Sequence, residues 1–537
     1  MAKTSKKHVV RELVALMLAH GVTRCVLCPG SRNAPICATL SACNEFECRH
    51  VTDERGAGFV ALGWAAQAQA PVAVCVTSGS AVLNLHPAVA EASYRKIPLL
   101  IISADRPAEW IGQQDGQTIP QPNVFGALNR MSAALPEYDP EGWYTNRLIN
   151  EALLELRHRG GGPVHINVPL CEPLFEETEE PLPIPRVIRR TELARMTADE
   201  EQELLEITAL LPRRMILMGQ MDEAPYFPPE LMEDHSFALV GEHLSNCPIA
   251  DCTRPDTLIG PDSNFPCIPS PDLLITMGGD TISKRLKRML RQNPPAEHWH
   301  LCSNGEVCDT FCCLTRVIEG DKSELLELLG AFAEEGDAAY RRLWQTPPVE
   351  FEAQHCGISL VGDLMKSLPS PAVLHLGNSS AVRYARLFPL PAGIQVECNR
   401  GVNGIEGSLS TALGYAAGDS RPQFLIIGDL SFFYDMNALW MNGIPGNIRI
   451  LLLNNSCGGI FSTIGAPNLD CINAPHSATA EAWAKARGFE YHSVFNADDW
   501  GTALPALLHN TESPVLVEAF TDAQRDAAIL KNFYSEH

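Results

Sequence analysis

Apolar residues in the first third of the chain alternate between short continuous runs and longer stretches with helical spacing. HVVRELVALMLAHG (8–21) has the helical pattern, and RCVLCPG (24–30) is a short run that ends in a Pro-Gly turn. The strand-like runs ECRHVTD, PVAVCVTSG and IPLLIISAD follow, with helical stretches such as GAGFVALGWAAQAQ between them. Apolar strands that alternate with helices predict a parallel sheet covered by helices on both faces.

The same pattern starts again after two breaks. The acidic, Pro-rich stretch LFEETEEPLPIPRVIRR (174–190) indicates a linker, and TPPVEFEA (346–353) indicates a second break. RMILMG, FALVGE, DLLITMGG and HWHLCS are predicted strands before the second break, and AVLHLGNSS, IQVECNRG, QFLIIGD, IRILLLNN and PVLVEAF are predicted strands after it. We therefore predict an α/β chain with three doubly wound parallel-sheet domains, at residues 1–175, 190–345 and 355–537.

Charge and composition narrow the possible partners. A formal net charge of −23 argues against nucleic acid or an anionic membrane surface as a partner. No apolar run reaches the roughly 18 residues of a membrane span, and the N-terminus has no signal-peptide pattern, so we expect a cytoplasmic protein.

The 18 cysteines lie mostly in apolar stretches, as is typical of buried thiols in a reducing compartment. The group Cys302, Cys308, Cys312 and Cys313 lacks the paired spacing of a structural zinc site, and its role stays open.

Polar clusters directly follow the predicted strands, where ligands bind in open parallel sheets. In the third domain, Gly428 and Asp429 follow one buried strand, and Asn454 and Asn455 follow the next. This pair of motifs resembles the thiamine-diphosphate-dependent enzyme superfamily, which usually has Gly at the position of Leu430. A diphosphate fits the N–H groups at a helix N-terminus, and Mg²⁺ prefers oxygen ligands that it shares with phosphates. Taken alone, Gly-Asp also occurs in ordinary strand-to-helix turns.

The resemblance implies residues for the cofactor and its metal. Thiamine diphosphate would bind with Mg²⁺ (or Mn²⁺), and the metal would be held by Asp429, Asn455 and the main-chain carbonyl of Cys457. Glu54, in TDERGAG, matches the glutamate that hydrogen-bonds the pyrimidine ring and supports proton relay, although such an acidic run alone is more often a solvated helix start. Ile405 matches the apolar residue that bends the cofactor, and core packing is its alternative role. The other cofactor-binding candidates are Gly428, Leu430, Ser431, Ile460 and Phe461.

The predicted domain order also resembles this superfamily. The pyrimidine-binding domain would come first and the diphosphate-binding domain third. In the superfamily these two domains meet across subunits at one cofactor. The resemblance therefore implies a homodimer or a dimer of dimers.

Several cations lie at or just beyond predicted strand ends and together favour recognition of small carboxylates, although each one singly could be a surface ion pair. The motifs PGSRNAP, SADRPAEW, GQTIPQPNVFG, GNSSAVR and CNRGVNGIEG resemble the branch of the superfamily that acts in menaquinone biosynthesis. That branch decarboxylates 2-oxoglutarate and adds the four-carbon remainder to isochorismate in a 1,4 fashion. The resemblance implies Ser379 and Arg383 at the succinyl end, and Arg32, Arg106, Gln117, Lys284 and Arg400 around isochorismate, with Ser31 and Asn403 nearby. Of these, Ser379, Arg383 and Arg400 join Glu54 as catalytic candidates.

Three other functions fit parts of the pattern. Another thiamine enzyme, such as an acetohydroxyacid synthase or a 2-oxoacid decarboxylase, would not need so many cations. A non-catalytic relative would not be expected to retain Glu54, Asp429 and Asn455 together. A nicotinamide dehydrogenase fits the doubly wound sheets, but residues 190–345 have no G-x-G-x-x-G after a strand.

Overall fold

The computed structural model describes residues 3–190, 197–233, 236–259, 268–330, 336–345, 350–351, 355–464, 472–509 and 512–536. Three parallel sheets lie within these ranges, which confirms the predicted α/β class. The predicted break at 346–353 falls mostly outside the described residues, and the three predicted domain boundaries stay a prediction. No helix in the described parts of the chain is both long and apolar enough to cross a bilayer.

The first sheet lies within residues 3–190. Its strands are β2 (Arg24–Leu27), β3 (Glu47–His50), β4 (Val72–Val76), β5 (Leu99–Asp105), β6 (Met131–Ala134) and β7 (Val164–Pro169), in the order β3-β2-β4-β5-β7-β6. The helices are α1 (His8–Ala19), α2 (Ala34–Ala42), α3 (Glu54–Ala68), α4 (Ser80–Leu83), α5 (His86–Arg95) and α6 (Trp143–Glu155). A short antiparallel pair, β1 (Thr4–Ser5) and β8 (Glu177–Thr178), joins the predicted linker to the N-terminus.

The second sheet lies within the described parts of 197–345. Its strands are β9 (Arg214–Met218), β10 (Ala238–Gly241), β11 (Leu273–Met277), β12 (Glu297–Cys302) and β13 (Arg316–Glu319), in the order β10-β9-β11-β12-β13. The helices are α7 (Ala198–Leu210), α8 (Lys284–Gln292), α9 (Lys322–Gly330) and α10 (Ala338–Gln345). Both faces of this sheet carry apolar clusters, as the continuous apolar strands predict.

The third sheet lies within the described parts of 355–536. Its strands are β14 (Ala372–Leu376), β15 (Ile394–Cys398), β16 (Gln423–Gly428), β17 (Ile448–Asn454), β18 (Glu490–Val494) and β19 (Val515–Phe520), in the order β15-β14-β16-β17-β19-β18. The helices are α11 (Gly357–Ser367), α12 (Ser380–Ala385), α13 (Ser408–Ala416), α14 (Asp429–Tyr434), α15 (Ile460–Ile464), α16 (Glu481–Ala486), α17 (Ala497–Leu508) and α18 (Ala523–Glu536).

Helices α3 and α13 pack backbone to backbone and join the first sheet region to the third. A Cβ atom on Gly63 would lie 2.1 Å from the Thr411 carbonyl oxygen, and one on Gly414 would lie 2.2 Å from the Val60 carbonyl oxygen. Side chains at these two positions would therefore force the helices apart. One apolar cluster runs through this interface from the first sheet to the third, so the two regions share a core.

His375 lies inside β14, where its Nε2 is 2.8 Å from Oε1 of Gln423, and burial lowers its pKa to about 4. Because the unfolded chain binds a proton on this residue near pH 6.5, the stability that the neutral ring contributes is complete above that pH and is lost as pH falls toward 4. We expect His375→Gln to reduce the loss of stability between pH 7 and pH 5 by about 2 kcal/mol.

The measurement is the thermal midpoint at both pH values, with His50→Gln as the control because His50 is exposed. An unchanged difference between the two midpoints in His375→Gln would contradict this account.

Candidate active site

The third sheet brings the two predicted motifs together at one edge. Asp429 is buried at the first position of α14, directly after β16. Its Oδ2 accepts a hydrogen bond from the backbone N–H of Asn455 (3.0 Å), which follows β17. The side-chain oxygen of Asn455 accepts the N–H of Cys457 at 3.2 Å, so these three residues form one compact turn. Parallel pairing of β16 with β17 explains the meeting, because both strands end at the same edge.

The chemistry of this turn fits a hard cation. A carboxylate, an amide oxygen and a main-chain carbonyl are ligand types that Mg²⁺ takes. Burial raises the pKa of Asp429, and a bound divalent ion would lower it again. Elsewhere, no group of three or more His, Cys, Asp and Glu side chains in the described ranges has an arrangement that could hold a metal.

Other cofactor candidates surround the start of α14. The Ser431 hydroxyl donates to the carbonyl oxygen of Ile405 at 2.5 Å, which places the Ile405 segment beside this helix. No atom lies within 4 Å of the position that a Cβ atom on Gly428 would take. The backbone N–H of Leu430 donates to Oδ1 of Asp429 at 2.7 Å. Two further candidates begin α15, just after the Asn455 turn: Ile460 and Phe461.

Glu54 is the first residue of α3, and Asp53 caps this helix by accepting the Arg55 N–H at 3.1 Å. Glu54 is half-buried, and its carboxylate accepts a hydrogen bond from Asn84 Nδ2 at 3.3 Å. Glu54 thus lies at a helix start, as its alternative interpretation predicts. The hydrogen bond of the Glu54 carboxylate lies within the first sheet region, whereas the contacts of Asp429 lie within the third.

The predicted substrate residues of the first domain lie around the ends of β2, β4 and β5. Arg32 is buried, donates to the carbonyl of Leu170 at 2.7 Å and lies 3.5 Å from Glu172. Burial lowers the pKa of Arg32, and the neighbouring charge of Arg106 lowers it further. Arg106 in turn lies 3.6 Å from Asp115. Two polar candidates, Ser31 and Gln117, are exposed beside them.

A second group of cations lies where the second and third sheet regions meet. Arg400 is buried, forms an ion pair with Asp280 and donates to Asn378 Oδ1 at 3.1 Å. Arg383 donates to the Ser379 carbonyl at 2.7 Å, and its pKa is lowered by burial and then by Arg400. Two remaining candidates are exposed, on α8 and after β15 respectively: Lys284 and Asn403.

Three of the predicted substrate residues have left-handed backbone conformations, with φ of 58° at Gln117, 73° at Ser379 and 60° at Asn403. Residues other than glycine rarely adopt this region, and such strain concentrates at ligand sites. Other described residues, such as Lys96 and Asn246, share this conformation, so the case for these three positions rests on their place in the site.

Comparison with known proteins agrees with this geometry. Residues 7–125 match the family described as "Thiamine pyrophosphate enzyme, N-terminal TPP binding domain". The 2-succinyl-5-enolpyruvyl-6-hydroxy-3-cyclohexene-1-carboxylate synthase of Phocaeicola vulgatus is 47% identical, over 99% of this chain and 98% of that protein. This chain belongs to the 2-succinyl-5-enolpyruvyl-6-hydroxy-3-cyclohexene-1-carboxylate synthase family. Synthases of the same name from Bacteroides thetaiotaomicron (47% identical, 99% of both chains) and Desulfotalea psychrophila (36%, 96% of this chain and 99% of that one) are also similar.

Membership of this synthase family makes the chain a thiamine-diphosphate-dependent enzyme, as its motifs predict. The matched N-terminal range contains Glu54 and the first group of substrate candidates. The individual roles of these residues stay proposals.

The structure adds residues around the site that the sequence analysis missed. The buried carboxylate of Glu91 on α5 accepts the N–H groups of Gly401 and Val402, both at 2.9 Å, and so holds the segment beyond Arg400. His476 Nε2 lies 3.2 Å from Asp429 Oδ2, and nothing in its sequence context signals this contact.

Buried Glu518 in β19 also supports the turn formed by Asp429, Asn455 and Cys457. It accepts a 2.7 Å hydrogen bond from the side chain of Asn454, whose Oδ1 in turn accepts the Ser456 N–H at 3.1 Å. The sequence did contain a signal for Glu518. A single acid inside the apolar run VLVEAF indicates a buried carboxylate, which needs a hydrogen-bond partner.

Proposed function

We propose that this enzyme decarboxylates 2-oxoglutarate and adds the resulting four-carbon unit to isochorismate, which gives 2-succinyl-5-enolpyruvyl-6-hydroxy-3-cyclohexene-1-carboxylate and CO₂. The observation that carries the proposal is the combination of the Asp429–Asn455–Cys457 turn with two groups of partly or wholly buried arginines. Each substrate has two carboxylates, and arginine is suited to bind carboxylates through paired hydrogen bonds. The protein works in the cytoplasm, where both substrates are available.

Thiamine diphosphate, when bound, supplies an electron sink for decarboxylation and carbon–carbon bond formation. Asp429, Asn455 and the Cys457 carbonyl would hold its Mg²⁺ or Mn²⁺. Glu54 would hold the pyrimidine ring through a hydrogen bond to its ring nitrogen and would supply the acid–base group there. Ile405 would pack against the cofactor from the segment that Ser431 fixes.

The cations divide the substrates between them. Arg383 and Ser379 bind the succinyl end, and Arg400, which lies beside them, binds isochorismate. Arg32, Arg106 and Gln117 bind isochorismate, assisted by other polar residues: Ser31, Lys284 and Asn403. Three of these arginines already have an acidic partner: Arg32 pairs with Glu172, Arg106 with Asp115 and Arg400 with Asp280. The substrate carboxylates must therefore compete with these acids or bind beside them.

The test is CO₂ release from 2-oxoglutarate by the purified protein with thiamine diphosphate and Mg²⁺, with and without isochorismate. Consumption of both substrates with one CO₂ per product supports the proposal. Turnover of pyruvate without turnover of 2-oxoglutarate would overturn the choice of substrate and leave the cofactor in place.

We further propose that the working unit is a homodimer, or a dimer of such dimers, with each cofactor between two subunits. Glu54 and Asp429 each contact their own domain within the chain, as described above. Two large apolar side chains are exposed close to the start of α3: Leu83 (43% exposed), which precedes Asn84, and Tyr434 (51%), whose ring lies under the Arg55 guanidinium. Such a surface is suited to a protein partner, and a second copy would bring a second set of motifs.

A mixed dimer tests the shared site. We expect a dimer of one Glu54→Gln chain and one Asp429→Ala chain, purified through two different tags, to have about half of the wild-type activity, because one site is intact and the other carries both changes. The control is each variant paired with itself. Activity no higher than that of these controls would mean that each site is built within one chain.

A further inference from the structure

A fully buried amide side chain, Gln121, joins the ends of three strands of the first sheet. Its Oε1 accepts the N–H of Gly79, in the turn after β4, at 2.7 Å. Its Nε2 donates to the Ala104 carbonyl in β5 (3.1 Å) and to Oδ1 of Asn167 in β7 (2.8 Å). Gln121 is 0% exposed, so it reaches no substrate and acts only through these neighbours.

The network continues to one of the proposed substrate residues. Asn167 Nδ2 donates to Asp105 Oδ2 at 2.9 Å, and the other oxygen of Asp105 accepts the backbone N–H of Arg106 at 2.8 Å. Asn167 Oδ1 also accepts the Ser103 hydroxyl at 2.8 Å. The position at which Arg106 leaves β5 is therefore fixed by buried hydrogen bonds that lead back to Gln121.

A second proposed substrate residue is held through Gly79. Gly79 has φ of 84°, and a Cβ atom there would lie 3.0 Å from the Cα atom of Gln117. The backbone of Gln117, which is itself left-handed, therefore packs directly on the turn that Gln121 holds. Arg32 lies close enough to Arg106 and to Asp105 for their charges to affect one another.

We propose that Gln121 is a positioning residue for the isochorismate side of the site. It fixes the turn after β4 against the ends of β5 and β7, and thereby sets the spacing of Gln117 and Arg106. This inference rests on the proposed function, because it assigns those two residues to isochorismate. The succinyl side of the pocket, formed by Ser379 and Arg383, and the Asp429–Asn455–Cys457 turn lie in the third sheet region, outside this network.

The physical argument concerns buried polar groups. Without the Gln121 amide, the Gly79 N–H and the Asn167 Oδ1 each lose a partner in a region that Gln121 closes to water, which is costly. The two segments can regain partners only by moving. A displacement of about 1 Å at a substrate-positioning group can cost roughly a hundredfold in rate.

The experiment compares Gln121→Met with Asn150→Leu in the full-length holoenzyme. Asn150 is also 0% exposed and also bonds main-chain groups, since it donates to the Arg186 carbonyl at 3.0 Å and accepts the Ile188 N–H at 2.8 Å. It lies on α6, away from the turn after β4. Both variants lose a buried amide, so both are expected to lower the thermal midpoint. Gln121→Asn, which keeps a buried amide but shortens its reach by one methylene group, replaces Gln121→Met if that variant does not fold.

We expect Gln121→Met to raise the KM for isochorismate about tenfold or more, while the KM for 2-oxoglutarate and the affinity for thiamine diphosphate stay within about twofold. Asn150→Leu should leave all three within about twofold. A KM for isochorismate that is unchanged in the Gln121 variant, or that rises together with the other two constants, overturns the positioning role. If the wild-type enzyme does not consume isochorismate at all, the proposed function fails instead, and the two failures are distinguishable.

Discussion

Glu54→Gln is expected to lower turnover by roughly 10²–10⁴-fold while the fold and the cofactor affinity are retained. Glutamine has the size of glutamate, and its amide can still contact Asn84, which lies 3.3 Å from the carboxylate. It lacks the negative charge that favours a proton on the pyrimidine ring. The measurements are steady-state turnover of 2-oxoglutarate with isochorismate, and titration of thiamine diphosphate by the change in intrinsic tryptophan fluorescence.

The matched control for this variant is Glu47→Gln. Glu47 lies in the neighbouring strand β3, is exposed, and pairs with Arg49 at 3.2 Å on the surface. Exposed ion pairs contribute little to stability, so this change should leave both turnover and stability close to wild type. Near-normal turnover in Glu54→Gln would remove the proposed proton role.

Asp429→Ala is expected to weaken the binding of Mg²⁺ and of thiamine diphosphate together. Loss of even an indirect metal partner costs roughly 10–100-fold in affinity, and a direct carboxylate ligand should cost at least as much. The two affinities should fall together because a metal ion held by this turn would also bind the diphosphate. Calorimetric titration of the apoenzyme with Mg²⁺ and thiamine diphosphate, each in the presence of the other, measures both affinities.

Asp435→Asn provides the control for removal of a nearby buried carboxylate. Asp435 accepts hydrogen bonds from both the N–H and the hydroxyl of Ser410 at 2.7 Å, and burial raises its pKa to about 6. Its loss should lower the thermal midpoint without changing the dependence of cofactor binding on Mg²⁺. If Asp429→Ala lost catalysis while both affinities held, the metal assignment would be wrong.

The features that depend on residues close together in the sequence could be predicted without a structure. Continuous apolar runs predicted the interior strands β4, β5, β16 and β17, because strands buried on both faces must be apolar along their whole length. The strand ends then located Asp429 and Asn455, since parallel strands present their carboxyl ends at one edge. Family resemblance added Glu54 and the individual roles of the cations.

The sequence analysis missed four strands of the three sheets, and their residues explain why. The strands β6, β13 and β18 lie at sheet edges and contain exposed or charged residues, so they form no continuous apolar run. β7 lies between β5 and β6 but contains two buried polar residues, His165 and Asn167. These two residues are tolerated because Ser103 contacts both of them, at 2.7 Å and 2.8 Å.

The sequence by itself determined the α/β class, the strands buried on both faces and the polar residues that end them. These features depend on neighbours along the chain, on the period of apolar residues and on the direction of parallel strands. Only the tertiary structure decided which side chains hold the site in place. The hydrogen-bond partners of three buried residues lie far away in the sequence: 42 positions for Gln121, 310 for Glu91 and 64 for Glu518. Such partners cannot be predicted from the sequence, because a buried polar group pairs with whatever the fold brings within about 3 Å of it.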